Sequence, residues 1–378
     1  MNEKRNIFFD YNATTPLRDG VWAAMEKVAA QPLNASSIHS FGRDAKKILN
    51  DARSKIQKAF GAEGASVVFT SCGTESNNMA LVCIKGVETI VTSEVEHVSI
   101  SKPASFLKNI LVAVDSNGQI KLQRLREVCE SLKGTKFLVS IIHANNETGV
   151  IQDIKSISQI VFENGGFLHV DASQSAGKIE FDFNSLGCDM ATISAHKIGG
   201  PKGAAALIVK SGLEILPMLH GGGQEKYLRA GTENIAAIVG FAEAAQLAVS
   251  KGKEEREKVK EIRDFIEFEI KKISPEAEIF GTKAERLPNT ISIYLPNSTS
   301  ETHLINFDLE GVAISAGSAC TSGRVVTSHV LIAMGVDAEK AKSAIRISLG
   351  WNSTLNEAKQ FLSIWQKIYE KNKQKKAA

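Results

Sequence analysis

The sequence predicts an α/β protein: a mostly parallel sheet sandwiched by helices, followed by a smaller α+β unit. Three observations carry this. Strand-like and helix-like segments alternate through the first two-thirds of the 378 residues. Residues 137–142 are apolar but for Ser140, as in a strand buried on both faces. Beyond the charge-dense stretch 253–272 the regular alternation stops, and strands and helices mix.

In chain order, Thr15-Pro16 has the form of an N-cap with proline in the first turn, and opens a helix to about residue 30. A second helix spans 41–60. Strand 66–70, helix 75–84, strand 89–92, helix 98–107 and strand 110–114 follow. Helix 122–132, strand 137–142 and helix 154–163 continue the pattern, and strands 166–170, 190–193 and 204–209 complete the sheet. After the cluster Gly221-Gly222-Gly223, a helical region begins near Asn234 and breaks at Lys251-Gly252-Lys253. Mixed charge at helical spacing over 253–272 marks a solvated helix face and a domain connection. Strand 290–294, helix 302–309, strands 312–315 and 344–348, and a closing helix from 355 form the smaller unit. The division expected is 15–252 for the large domain, and 1–14 with 253–378 for the small one.

Composition is that of a globular chain, with 43% apolar and 23% charged residues. The net charge of +3 is small, and much of it can come from a frayed, solvated tail (Lys371, Lys373, Lys375, Lys376). No basic stripe interleaved with aromatics appears, so direct nucleic-acid binding is not expected. No apolar core of a signal peptide follows Met1, and no run approaches a membrane span; a cytoplasmic protein is expected. The five cysteines are odd in number and scattered, which argues against a disulfide framework or a structural zinc site. Cys72, Cys83, Cys129 and Cys188 have apolar neighbours and read as buried. Cys320 does not: it lies in Ser315-Ala316-Gly317-Ser318-Ala319-Cys320-Thr321-Ser322-Gly323, small residues almost without packing anchors. Such a loop (about 315–328) is expected to be mobile and exposed, suiting a thiol that must travel.

Ser194-Ala195-His196-Lys197 places a lysine just past one strand, and Asp171 ends another. An amine beside a carboxylate at neighbouring strand ends is what pyridoxal phosphate needs: a lysine to join its aldehyde, and an anion to keep its ring nitrogen protonated. Ser71-Cys72-Gly73-Thr74-Glu75-Ser76 links a strand to a helix, where free N–H groups favour a phosphate, although an ordinary capping turn fits as well. Gly199-Gly200-Pro201-Lys202-Gly203 lacks the Walker spacing and reads as a tight turn. His97 sits where a histidine could stack on a ring and handle protons. Asn145-Asn146-Glu147-Thr148-Gly149 ends the most buried strand, at the edge where ligands gather in open α/β sheets. Arg346, within an apolar strand, needs a partner; a substrate carboxylate or a structural ion pair would serve.

These segments together resemble the cysteine desulfurases of the NifS/IscS type, in the class V branch of fold-type-I, pyridoxal-phosphate-dependent transferases. Asp10-Tyr11-Asn12-Ala13-Thr14-Thr15-Pro16, Gly73-Thr74-Glu75-Ser76-Asn77-Asn78, Glu96-His97 and Asn145–Gly149 carry the likeness. So do His169-Val170-Asp171-Ala172-Ser173-Gln174, Ala195-His196-Lys197, His220–Glu225, Arg229-Ala230-Gly231-Thr232, Gly317–Ser322 and Ile345–Gly350. The resemblance implies that Lys197 bonds the cofactor and Asp171 pairs with its ring nitrogen. Gln174 would hydrogen-bond the ring hydroxyl and His97 would stack over the ring. Gly73, Thr74, Ser194 and His196 would hold the phosphate, with Thr232 reaching it from the partner subunit of a homodimer. Asn146 and Arg346 would bind the substrate carboxylate. Two departures, Ala35 in Asn34-Ala35-Ser36-Ser37 and Ala230 in Arg229–Thr232, remove no catalytic group.

The same resemblance implies conversion of L-cysteine to L-alanine with a persulfide formed on Cys320. The sulfur would pass to an acceptor protein such as an iron–sulfur scaffold, or toward tRNA thiolation. The small-residue segment matches the long-loop group of these enzymes. A related lyase or aminotransferase, acting for instance on selenocysteine, is the near alternative. A thiol hydrolase or acyltransferase pairing Cys320 with His97 or His329 is the distant one. No resident metal is expected.

Overall fold

The computed structural model describes residues 6–296, 298–317 and 327–377, with side chains through Gln374. After β1 (Ile7–Phe8), two helices, α1 (Val21–Ala29) and α2 (Ser40–Ala59), lead into a sheet of seven strands. These are β2 (Ser66–Thr70), β3 (Thr89–Ser93), β4 (Asn109–Val112), β5 (Phe137–Ile142), β6 (Phe167–Asp171), β7 (Met190–Ser194) and β8 (Ala205–Val209). Their order is β2-β8-β7-β6-β5-β3-β4. The pairs from β4 to β7 are parallel, while β8 runs antiparallel to both β2 and β7. Six strands therefore point one way, and their carboxyl ends lie along one edge. Every residue of β3, β5, β7 and β8 is buried, the hydroxyl side chains Thr92, Ser140 and Thr192 among them.

The connections include α3 (Gly73–Val82), α4 (Val98–Ala104), α5 (Leu122–Ser131), α6 (Ile154–Glu163) and the single turn α7 (Phe183–Leu186). After β8 come α8 (Ile235–Ser250) and α9 (Gly252–Ile273), meeting at the break expected near Lys251. The C-terminal part holds β9 (Glu278–Ile279), β10 (Thr290–Tyr294), α10 (Ser300–Leu309), β11 (Val312–Ala313), β12 (Ser315–Ala316), α11 (His329–Ala333), α12 (Ala338–Ser343), β13 (Ala344–Ser348) and α13 (Leu355–Ala377). A separate apolar core forms there from Ile266, Ile270, Ile291, Ile347, Phe361 and Trp365. Ile7 and Phe9 of the chain's beginning join it, because β1 pairs in parallel with β11.

Four expectations need correction. The first helix begins at Val21 behind Gly20, whose φ of 90° is left-handed, and not at Thr15-Pro16. The Thr15 hydroxyl cannot cap it, since it donates to the His196 carbonyl (2.8 Å) and accepts from the Gly199 N–H (2.9 Å). The expected strand 312–315 is broken at Ile314, because β11 pairs with β1 whereas β12 joins the other sheet beside β13. Cys72 is exposed; it is the N-cap residue of α3, outside the sheet that buries its apolar neighbours. The closing helix continues through Ala377 rather than fraying into the basic tail.

Candidate active site

The carboxyl ends of β2, β3, β5, β6 and β7 surround a cavity of about 320 Å³, closed on its far side by Ser315 and Arg346 of the C-terminal sheet. This is where parallel strands deliver their following residues. Asp171 is the last residue of β6 and is buried. Its Oδ2 accepts from Asn77 Nδ2 (2.8 Å) and its Oδ1 from the Ser173 N–H (3.0 Å). Two donors fix its orientation at the cavity, which it lines.

Lys197 ends the short turn after β7, and its amine donates to the carbonyls of Asn12 (2.5 Å) and Ala13 (2.9 Å). His97 is the N-cap of α4. Its Nδ1 accepts from the Ser99 N–H (3.2 Å), so the neutral ring carries its proton on Nε2. Asn77 connects the two groups, donating to Ser99 Oγ (2.8 Å) as well as to Asp171, while that hydroxyl lies 2.7 Å from His97 Nδ1. Burial lowers the His97 pKa, and Lys197, His329 and Arg346 add to this against the pull of Asp171. The imidazole is therefore held neutral.

At the other end of the cavity α3 begins without a side-chain cap, leaving N–H groups at Gly73 and Thr74 for an anion. A Cβ at Gly73 would come within 3.3 Å of Ser173 Oγ and 3.5 Å of Ser194 Cβ, so glycine lets backbone and hydroxyls close around one point. Ser194 Oγ is buried and has no protein partner among the described residues. Such a donor inside a polar cavity fits a bound oxyanion. His196 lines the same wall, its Nδ1 beside Thr14 Oγ1 (3.1 Å), and burial, with Lys197 adding, pushes its pKa down to about 4. The donor cradle, the buried carboxylate and the facing amine fit pyridoxal phosphate.

Arg346 on β13 is nearly fully buried. Its Nη2 pairs with Asp10 Oδ1 (2.7 Å) and its Nη1 donates to the Asn146 carbonyl (3.1 Å), while its Nε is buried without a partner. The ion-pair account of this arginine is thus present in the fold, and the residue also lines the cavity. Gln174 is buried and lines the cavity, and Asn146 does so half-buried. Thr232 stands apart on the exposed surface, in a glycine-rich stretch that does not line this cavity. Cys320 lies outside the described residues. The stems on either side of its segment are described, and both rest on Glu147: a Cβ at Gly317 would strike Glu147 Oε2 at 2.3 Å, and Ser328 Oγ donates to the same oxygen (2.5 Å). His329 Nε2 lies 3.0 Å from the Glu96 carbonyl, beside His97.

Several residues of the site escape a reading for chemistry: Asp10, Asn12, Asn77, Ser99 and Lys178. Asp10, Asn12 and Asn77 fall within recognisable motifs, but their partners are far away in sequence. Among the described residues no His/Cys/Asp/Glu group suited to a metal ion is present, and no single helix is long and apolar enough to cross a membrane.

The model of the family described as aminotransferase class-V matches residues 7–361. The chain is 41% identical to the cysteine desulfurase IscS of Dictyoglomus turgidum, covering 97% of this chain and 95% of that one. It is 38% identical to the cysteine desulfurase IscS 1 of Archaeoglobus fulgidus, covering 96% and 97%. Among solved structures, it resembles a NifS-like protein from Rickettsia africae with a TM-score of 0.90 and 39% identity, over 97% of this chain and all of that one.

Proposed function

The chain belongs to the aminotransferase class-V family and is a cysteine desulfurase within it; on that premise we propose which of its residues hold the cofactor and carry the sulfur. The family implies pyridoxal phosphate. Gly73, Thr74, Ser194 and His196 would hold its phosphate, Asp171 its ring nitrogen, Gln174 its ring hydroxyl, and Lys197 its aldehyde carbon, with His97 against the ring face. When bound, that group supplies an electron sink for the bond-breaking at the substrate's Cα.

The protein's own groups do the rest. Arg346 and Asn146 orient the L-cysteine carboxylate, which places Cα near Lys197 Nζ. That amine takes the Cα proton once it is free of the cofactor. His97, neutral with its proton on Nε2, can donate there and accept nothing at Nδ1 while Ser99 occupies it. The Cys320 thiolate attacks the substrate sulfur: an S–S bond forms, the substrate C–S bond breaks, and L-alanine leaves with a persulfide on Cys320. The observation that supports this best is convergence. Amine, carboxylate, imidazole and guanidinium meet in one cavity, and Ser315, which opens the stem toward Cys320, lines it too.

We further infer a homodimer acting in the cytoplasm and passing its sulfur to an acceptor protein such as an iron–sulfur scaffold. In support, Ile38 and Tyr227 leave large apolar side chains exposed, Tyr227 in the same glycine-rich stretch as Thr232. Residues 15–252 would form the cofactor-binding domain and 1–14 with 253–378 the small one.

The test is a persulfide assay with L-cysteine, followed by mapping of the labelled residue. Cys320→Ser should keep the cofactor's colour and form no persulfide, and Lys197→Ala should lose turnover. Persulfide formed on another cysteine, or full sulfide release by Cys320→Ser, refutes the assignment of the thiol.

A further inference from the structure

Asn12 is buried, and every polar atom it has is bonded. Its N–H donates to Ser348 Oγ (3.0 Å), and its Nδ2 to the Asn146 carbonyl (3.1 Å) and Thr290 Oγ1 (2.9 Å). Its main-chain oxygen accepts from Lys197 Nζ and from Gln174 Nε2 (2.9 Å). Its Oδ1 accepts from Asn289 Nδ2 (3.0 Å) and from Lys178 Nζ (2.8 Å). Lys178 reaches on to Gln174 Oε1 (2.5 Å). Two lysine amines thus meet on one asparagine, Lys197 at its main chain and Lys178 at its side chain.

We propose that Lys178 is a positioning residue that fixes which end of the Gln174 amide the cofactor pocket meets. This rests on the reading of Gln174 as the partner of the cofactor's ring hydroxyl. The Asn12 main-chain oxygen accepts only, so the atom of Gln174 that faces it must be the nitrogen and the atom that faces Lys178 the oxygen. Its nitrogen then lies on the other side, with one N–H spent on the Asn12 carbonyl, an acceptor only. The second N–H of that nitrogen is what Gln174 has left for the pocket it lines. Without Lys178, the buried amide oxygen has lost its donor, and turning the amide would set that oxygen against the Asn12 carbonyl, so the amide is left without a satisfied orientation. The same loss frees Asn12 Oδ1 from one of its two donors, loosening the residue whose carbonyl holds Lys197. Lys178 touches neither reacting atom; it works through two amides.

The experiment is a double-mutant cycle on the full chain, titrating the apo protein with pyridoxal phosphate and recording affinity and the absorption band of the bound cofactor. Lys178→Met and Gln174→Ala should each weaken binding roughly 5- to 100-fold, the range for a buried group left without its partner, and shift the band alike. The double variant should fall clearly short of the sum of the two losses, because the lysine acts in part through the glutamine. Lys178→Arg keeps a donor and should stay close to wild type, which guards against misfolding of the methionine variant. An unchanged band and affinity in Lys178→Met, or losses that simply add in the double variant, overturn the proposal while leaving Gln174 in place. Should Gln174→Ala itself change neither, the assignment of Gln174 fails, and this proposal with it.

Discussion

Replacing Asp10 by asparagine should make the protein less stable and its carboxylate ligands bind more tightly. Asp10 and Arg346 form an ion pair at 2.7 Å, with the arginine side chain 5% exposed and the aspartate 20%. The asparagine side chain would keep a hydrogen bond to Arg346 Nη2 while removing the charge. The bond to a cationic guanidinium remains charge-assisted, so what is lost is the attraction between the two charges, about 1–2 kcal/mol for a pair between fully exposed and fully buried. In a chain of this size that lowers the melting temperature by roughly 1–3 °C.

Ligand binding responds in the opposite sense. A substrate carboxylate that reaches Arg346 must sit near the carboxylate of Asp10. Two like charges about 6–8 Å apart repel by roughly 2–3 kcal/mol at an effective dielectric constant near 20. Solvent at the part-exposed aspartate reduces this, leaving about 1 kcal/mol, which is a dissociation constant roughly fivefold lower. The assay is a titration with L-alanine, the product expected of the reaction, monitored by the cofactor absorption and repeated as a thermal shift. Asp10→Asn should gain more stability from saturating L-alanine than wild type does. A variant that binds L-alanine more weakly would refute the reasoning, for Asp10 would then be orienting Arg346 for the ligand rather than competing with it.

Two further outcomes follow from buried carboxyl groups. Glu225 is held by Arg53 (2.8 Å) and accepts from the Phe69 N–H (2.8 Å), at the start of three residues, Glu225, Lys226 and Tyr227, with left-handed φ of 45°, 58° and 67°. Glu225→Ala removes the ion partner of the half-buried Arg53, which keeps the Val67 carbonyl, and the acceptor of the Phe69 N–H, and should cost about 2–3 kcal/mol in urea unfolding; a loss below about 1 kcal/mol would show that the pair does not hold this strained turn. Glu96 is fully buried, and burial, with the negative charge of Asp171 adding to it, pushes its pKa up to about 8 despite the Ser93 hydroxyl. A carboxyl raised from its ordinary 4.5 stabilises the fold below that pH, and the contribution is lost as pH rises toward 8. Glu96→Gln stays neutral throughout, so its melting temperature should gain on wild type between pH 5 and pH 9; parallel curves would contradict the shift.

The sheet was legible because strands buried on both faces are dense in apolar and β-branched residues and carry no charge, so 137–142 and 290–294 could be bounded to the residue. Lys197, Asp171 and the start of α3 were legible for a related reason: polar residues directly after such strands stand at the edge where ligands gather. What stayed hidden was pairing at a distance. Nothing around Arg346 announces Asp10, 336 positions earlier, as its partner. Nothing around Thr15 announces that residues near 196–199 will take its hydroxyl and leave the helix to begin at Val21. The antiparallel run of β8 was equally hidden, since composition carries burial and not direction. Lys178 carries no local signal, since nothing in Ala176-Gly177-Lys178-Ile179 announces a partner, and its two amide partners become visible only once Asn12 has been folded against it.

The turn 145–149 explains how a site built from three regions can hold one geometry. Asn145 Oδ1 accepts from the N–H groups of Glu147 (2.9 Å) and Thr148 (3.0 Å), and Gly149 adopts a φ of 77° where a Cβ would press against Thr290 at 2.9 Å. The turn is therefore locked to itself and to β10. From it, the Asn146 carbonyl receives both Arg346 and Asn12, the residue that in turn receives Lys197. The next residue, Glu147, meets Gly317 on one side and Ser328 on the other. The chain between those two, which carries Cys320, leaves and returns at a single buried carboxyl group. Burial keeps that carboxyl above its usual range, with the Ser328 bond and the charges of His329 and Arg346 opposing. The groups proposed to receive the substrate carboxylate, to take its proton and to anchor the thiol's segment are therefore positioned by adjacent residues of one turn. A substitution that shifts this turn would be felt by all three at once.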